Sequence, residues 1–297
     1  CSTDNTDSIV STFAGKNVIL ARNPVRGGKT AVQNMAAGAA KNEILVFSDA
    51  TTRFKKDALL KLVRNFSDPK VGCVGGEERF IKSENDIFQE ANFFWKYEKR
   101  IRTRESCFNS LIGVSGCIFA IRRKLYDPLE PDLIEDFVLP LTLAEKGYRS
   151  VYEKHAIALE SAATDTKTEL TRKARIVAGG INVVFKMRRL LNPFKYPIFS
   201  FQLISHKIFR WLAPIFMIIM FISNSLLITR YPFYLILWLA QASFYLFAFG
   251  GYLLKDKKQQ PKIMKLAYHF CVVNTAAILG IIQFLRGSRR AIWQPVR

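Results

Sequence analysis

The sequence predicts an α/β domain built on a mostly parallel sheet, followed by a basic helix, an interfacial helix and about three transmembrane helices. Three observations carry this expectation. Residues 1–160 alternate short apolar runs with helical patterns, as βαβ units do. The net charge of +20 over 297 residues is unevenly placed: 25 basic and 23 acidic residues reach to Leu170, whereas 19 basic residues and one acid, Asp256, follow. Three long stretches of that second part are almost free of charge. With 49% hydrophobic and 23% charged residues, the composition excludes a disordered or low-complexity chain.

Each element follows from period and punctuation. Residues 17–21 (NVILA) read as a strand, followed by a Gly27-Gly28 turn and a helix to Ala40. Residues 43–47 (EILVF) form the next strand, ending at Ser48-Asp49, and 56–65 form a helix with Leu59, Leu60 and Val63 on one face. A third strand covers 71–75, a long helix 84–104, a strand 117–121 (CIFAI), a helix 137–146 and a short strand 149–152. A basic helix follows over 171–191, and Asn192-Pro193 breaks it. Residues 196–210 mix Phe199, Phe201, Leu203, Ile204, Ile208 and Phe209 with His206, Lys207 and Arg210 at helical period, which suits an amphipathic helix in the headgroup layer. An ordinary linker helix is the alternative.

A basic C-terminal part could serve nucleic acid or an anionic membrane, and hydropathy separates the two. Residues 211–228 and 231–254 carry no charge, and 264–285 are interrupted only by Lys265 and His269. Each run is long enough to cross a hydrocarbon core, so three spans are expected. The basic segment before Trp211 and the loop 255–262 (KDKKQQPK) suit the cytoplasmic side. A third full span would then put Arg286, Arg289 and Arg290 outside, unless it is kinked or re-entrant. The five cysteines (Cys1, Cys73, Cys107, Cys117, Cys271) are scattered without C-x-x-C spacing, which argues against a disulfide framework or zinc site.

Ligands of an α/β sheet bind beyond the carboxyl ends of its strands. Asp49 stands there, after EILVF, where a carboxylate can hold Mg²⁺ or Mn²⁺ or simply cap the next turn. Glu135-Asp136 opens a helix, where a carboxylate can act as general base or as N-cap. Arg172 and Arg175 share a helix face and could neutralise a diphosphate or meet anionic lipid.

In order, these pieces resemble family-2 inverting glycosyltransferases with C-terminal transmembrane helices, such as hyaluronan, cellulose and exopolysaccharide synthases. Residues 1–6 (CSTDNT) are similar to the end of the family's D-x-S-T-D-x-T loop, and 23–34 (NPVRGGKTAVQN) to R-x-G-K-x-x-A-x-N. Residues 47–51 (FSDAT) resemble its metal segment, and 113–120 (GVSGCIFA) its acceptor-side glycine turn. Residues 134–141 (IEDFVLPL) resemble the E-D segment, 147–160 the strand pair after it, and 171–180 (TRKARIVAGG) the Q-x-x-R-W segment. Thr51 replaces the metal segment's second acid, Arg172 the glutamine and Ile176 the tryptophan, while Arg175 is kept.

The resemblance implies a GT-A-like (Rossmann-like) domain over 1–170 that lacks its first strand, a basic and interfacial linker over 171–210, and a membrane region over 211–297. It implies transfer of a sugar from a nucleotide-diphosphate donor, with UDP as the expected nucleotide, to a glycan or lipid-linked acceptor in surface polysaccharide synthesis. Asp136, with Glu135 beside it, would be the catalytic base, Asp49 the ligand of Mg²⁺ or Mn²⁺, and Arg172 and Arg175 the diphosphate partners. Asp4 and Lys29 are further candidates for nucleotide contacts. The catalytic domain is expected on the cytoplasmic face of a bacterial inner membrane, and a fragment without the first strand is expected to be inactive alone. Two readings compete: a polyprenyl-phosphate glycosyltransferase adding one sugar, and a non-catalytic subunit of a polysaccharide export complex. Three spans beside the basic part disfavour nucleic-acid binding.

Overall fold

The computed structural model describes residues 4–23, 27–81, 91–161, 166–255, 257 and 260–287. Cys1–Ser2–Thr3 of the first motif, residues 24–26, residues 84–90 of the expected long helix, part of the 255–262 loop, and Arg289 and Arg290 lie outside the described residues. The described chain forms two compact units, one drawn from residues 1–83 and 99–162, the other from 84–98 and 163–288.

In the first unit, helix α1 (Thr6–Ser11) precedes α2 (Gly28–Ala39), β1 (Ile44–Ser48), β2 (Arg53–Phe54), α3 (Ala58–Val63) and β3 (Val71–Ile81). Part of α4 (Ala91–Phe108), then β4 (Ile118–Arg122), α5 (Glu135–Glu145) and β5 (Arg149–Ser161) complete it. The five strands form one sheet in the order β1-β4-β3-β5-β2. The α/β class is as expected, but the sheet is mixed rather than mostly parallel. β3 and β5 pair in parallel, whereas β4 runs antiparallel to β1 and β3, and β2 antiparallel to β5. The reason is the direction of entry: β4 follows the glycine turn at 113–116 and threads backwards between two co-directional strands. Its residues Ile118–Ile121 are fully buried because both faces are covered. Ala58 and Leu62 of α3 close one side of this core, and Phe47 stacks on Phe119 with ring centres 4.6 Å apart.

Residues 17–21 are not a strand. Gly15 and Asn17 adopt positive φ (83° and 60°), turning the chain back so that only Ala14 and Val18 form an isolated bridge. Arg22 pairs with Asp7 of α1 at 3.1 Å, and Ile19 is left 82% exposed. The segment at 147–160, expected as a strand pair, is the single long β5, whose pairing with β3 slips between Gly76 and Glu77.

The second unit contains α6 (Thr166–Lys186), α7 (Pro197–Leu203), a π-helical turn (Ile204–Ile208), α8 (Phe209–Leu227), α9 (Phe233–Leu253) and α10 (Lys262–Leu285). The expected interfacial helix and first span are one continuous stretch of 31 residues, Pro197–Leu227, joined through the π turn. This stretch, α9 and α10 are long and apolar enough to cross a membrane. Polar side chains join α8 to α9: Gln241 donates to the Met217 carbonyl at 2.9 Å, and Trp238 Nε1 to Ser225 Oγ at 2.9 Å. Glu98 of α4 is buried and accepts from Arg210 at 2.6 Å and meets His206 at 3.3 Å. Burial alone would raise its pKa, but His206, Arg210 and Lys207 outweigh that and hold the carboxyl well below the usual range.

The basic helix α6 packs on α10 through Gly280, where an added Cβ would lie 2.6 Å from both the Ala174 carbonyl oxygen and Val177 Cβ. Both neighbours are backbone or β-carbon and cannot swing away. Gly280→Ala is therefore expected to destabilise the protein by about 1–3 kcal/mol, the usual range for overpacking, read as a lower thermal midpoint in detergent.

Candidate active site

β1 ends at Ser48, which pairs with Ile118 at the start of β4. This register sets Asp49, leaving the sheet at the carboxyl end of β1, beside the turn that carries Gly116 and Cys117. The same turn is fastened to α5: the Val114 amide donates to the Asp136 carbonyl at 2.8 Å. An added Cβ at Gly116 would lie 3.0 Å from Asp136 Oδ2 and 3.5 Å from Lys29 Nζ. A side chain at this position would require the Asp136 carboxylate to shift by a few tenths of an ångström.

Lys29, second residue of α2, extends its ammonium into this gathering. Its Nζ lies 2.7 Å from Asp49 Oδ1 and 2.6 Å from Glu135 Oε1. Burial would lower its proton affinity, but Glu135 and Asp49 more than offset that and hold the lysine well above its ordinary range. Neither Glu135 nor Asp136 is the cap of α5. Ile134 occupies that position, and both acids lie in the first turn of the helix. Glu135 is buried, and Asp136 is half-buried.

The helical period of α2 explains how the site is held. Lys29 and Gln33 form one row, facing Glu135, with Gln33 Nε2 3.4 Å from Glu135 Oε1. Thr30 and Asn34 form the next row and hold the segment before α5. Thr30 donates to the Leu133 carbonyl at 3.2 Å. Asn34 donates to the Leu129 carbonyl at 2.7 Å and accepts from the Leu129 amide at 3.0 Å and from Tyr126 at 2.8 Å. The spacing of GKTAVQN puts Thr30, Gln33 and Asn34 on adjacent rows of α2, a signal that the sequence carries without naming their partners, and Gly116 belongs to the glycine turn at 113–120.

Two carboxylate oxygens converging on one cation are also the donor set a hard divalent ion takes, so Asp49 and Glu135 fit Mg²⁺ or Mn²⁺. A further group lies on the other side of the glycine turn: Glu78, Cys117 and Glu160, with ligand atoms all within 4.8 Å of one another. Hydroxyls already serve its acids, Ser115 donating to Glu78 at 2.7 Å and Thr52 to Glu160 at 2.8 Å. Burial, and the negative charge of Glu78, push the Cys117 thiol up to about 12, so it is not a ready thiolate ligand.

Of the remaining candidates, Asp4 accepts from the amide and hydroxyl of Thr6 at the start of α1, at 3.2 and 2.5 Å. Arg172 and Arg175 stand on α6 of the second unit, Arg172 exposed and Arg175 half-buried. The structure thus brings Lys29, Asp49, Glu135 and Asp136 together within one unit.

Residues 1–129 match the model of the family described as Glycosyl transferase family 2. The O-antigen chain rhamnosyltransferase WbaN of Salmonella anatum is 24% identical over 181 residues, covering 58% of this chain; the match spans 57% of that protein's length. Among solved structures, the mannosyltransferase PcManGT from Pyrobaculum calidifontis, in complex with GDP-Man and Mn²⁺, superposes with a TM-score of 0.59 at 19% identity. That likeness of fold covers 96% of this chain and 75% of the other.

Asn34→Ala removes three hydrogen bonds from the strap that leads into Glu135-Asp136. A loss of about 1–3 kcal/mol is expected for leaving such partners unpaired. Asn34→Asp should recover only part of it, because a carboxylate cannot donate to the Leu129 carbonyl; chemical denaturation of the two variants checks the order.

Proposed function

Because residues 1–129 match the glycosyl transferase family 2 model, we propose that the protein is a membrane-bound inverting glycosyltransferase. It moves a sugar from a nucleotide-diphosphate donor, a UDP-sugar first among the candidates, to a glycan or lipid-linked acceptor in surface polysaccharide synthesis. The observation that carries this reading is the gathering of Lys29, Asp49, Glu135 and Asp136 around the side-chain-free Gly116. The O-antigen role named for the Salmonella relative supports the polysaccharide context, and the nucleotide sugar named for the Pyrobaculum structure supports the donor class.

Asp136 takes the proton of the acceptor hydroxyl as that oxygen attacks the anomeric carbon from the face opposite the leaving group. It stands in the first turn of α5 with its Oδ2 against Gly116. Asp49, with Glu135 beside it, would hold Mg²⁺ or Mn²⁺, which when bound supplies Lewis-acid charge to the departing diphosphate. Glu135 orients Lys29, and Arg172 and Arg175 contribute guanidinium donors to the diphosphate. In this reading residues 1–170 are a cytoplasmic catalytic domain, 171–210 the linker at the inner-membrane surface, and 211–297 a multi-pass membrane region. Membrane attachment keeps the site beside a lipid-linked or growing acceptor, which raises its effective concentration. Ile176 in the position of the family's tryptophan, 47% exposed on α6, favours a second reading: transfer of a single sugar to a polyprenyl phosphate. Product length on a gel separates the two.

Asp136→Asn keeps size and position but cannot take a proton. In an active preparation it should lower transfer from radiolabelled donor by about 10²–10⁴-fold while nucleotide binding stays close to wild type. Turnover within threefold of wild type would remove Asp136 from the mechanism and favour a non-catalytic subunit.

Arg175→Lys separates a diphosphate clamp from a lipid-facing charge. A clamp loses turnover when the planar fork goes, with membrane association unchanged. Arg188 follows α6, its guanidinium 5.9 Å from the Phe185 ring centre, and Arg188→Lys should be silent in both assays. Identical behaviour of the two variants would assign Arg175 to the membrane surface.

A further inference from the structure

We propose that Lys29 is a built-in counter-cation that competes with the divalent ion for Asp49, so that metal binding requires release of the lysine. The inference rests on the glycosyltransferase reading, and it concerns what stands between the two acids before any substrate arrives.

The Lys29 ammonium lies 2.7 Å from Asp49 Oδ1 and 2.6 Å from Glu135 Oε1, so it fills the space between the two acids that an ion held by both would need. An ammonium and a divalent cation cannot share one carboxylate oxygen without facing each other as like charges at close range. Thr51 sharpens the competition. It stands where the related motif carries a second acid, so FSDAT offers one carboxylate, and Lys29 already holds it. Glu135 provides no independent refuge for an ion, because its side chain is 8% exposed and bonded to the same ammonium. Lys29 is nonetheless able to leave. Its side chain is 45% exposed, and its four-carbon stem lets the ammonium swing while α2 stays anchored by Thr30 and Asn34. A nucleotide diphosphate gives the released ammonium an anionic partner, so nucleotide and metal would enter together and each would favour the other.

The test is Mn²⁺ binding to the detergent-purified chain without nucleotide, followed by electron paramagnetic resonance, with thermal melting as the check on folding. Lys29→Gln removes the competing charge and should bind Mn²⁺ about tenfold more tightly than wild type, equivalent to about 1.4 kcal/mol. Lys29→Arg keeps a cation and should remain near the wild-type affinity. If folded Lys29→Gln binds Mn²⁺ no more tightly than wild type, competition is overturned. Asp49→Asn distinguishes the underlying reading: Mn²⁺ binding undiminished in that variant removes the metal role of Asp49 and the competition with it. Binding lost in Asp49→Asn but unchanged in Lys29→Gln overturns the competition alone.

Discussion

Three carboxylates around one glycine are the constraint on which the first unit depends. Asp49, Glu135 and Asp136 come from two segments more than eighty residues apart, and like charges brought together raise each other's energy. Lys29 offsets this by bonding two of them, which fixes how α2 must lie. Once α2 is fixed, Thr30 and Asn34 fall against the segment 126–133, and that segment delivers Glu135 and Asp136 back to the same point. Gly116 lies against the same point, where a Cβ would come within 3.0 Å of Asp136 Oδ2. Sheet register, helix period and electrostatics therefore specify a single arrangement.

The second unit solves a related problem with different means. A helix as basic as α6 gains little from burying its charges, so it meets α10 through small groups: Ala174 and Gly280 let the backbones approach where Leu or Phe would hold them apart. Gly251 does the same between α9 and α10, with Met264 and Tyr268 in contact distance of its missing side chain. Where a charge is buried, as at Glu98, it is met by Arg210 and His206 rather than left alone. The π turn at 204–208 carries His206, and an extra residue in the helical ladder is a way to rotate such a side chain inward without ending the helix.

The sequence was legible where one residue type has one consequence. An apolar run ending in Asp located β1 and Asp49, and uncharged runs located the three long helices. It was illegible where the outcome depends on partners. NVILA has strand composition, yet Gly15 and Asn17 turn it away from any ladder, and composition does not reveal whether a neighbouring strand exists. Strand direction was likewise hidden: period-two patterning is the same for parallel and antiparallel pairing, so the reversal of β4 left no trace. Lys29 ranked behind Asp49 because a lone lysine after two glycines says nothing of two acids waiting 20 and 106 residues on.

The charge balance of the site ties these threads together. Lys29 offsets one of the two negative charges it touches, so Asp49 and Glu135 together keep a residual negative charge that a cation would neutralise. A diphosphate is itself anionic and would be repelled by these acids if it came alone. Anion and cation must therefore arrive as a neutralising pair, or the lysine must turn from the acids to the anion. With Thr51 withholding a further carboxylate, the balance between those routes rests on one flexible ammonium. A site of this kind is held together by the same charge that must yield when it works, and its half-exposed stem is the part of the structure free to do so.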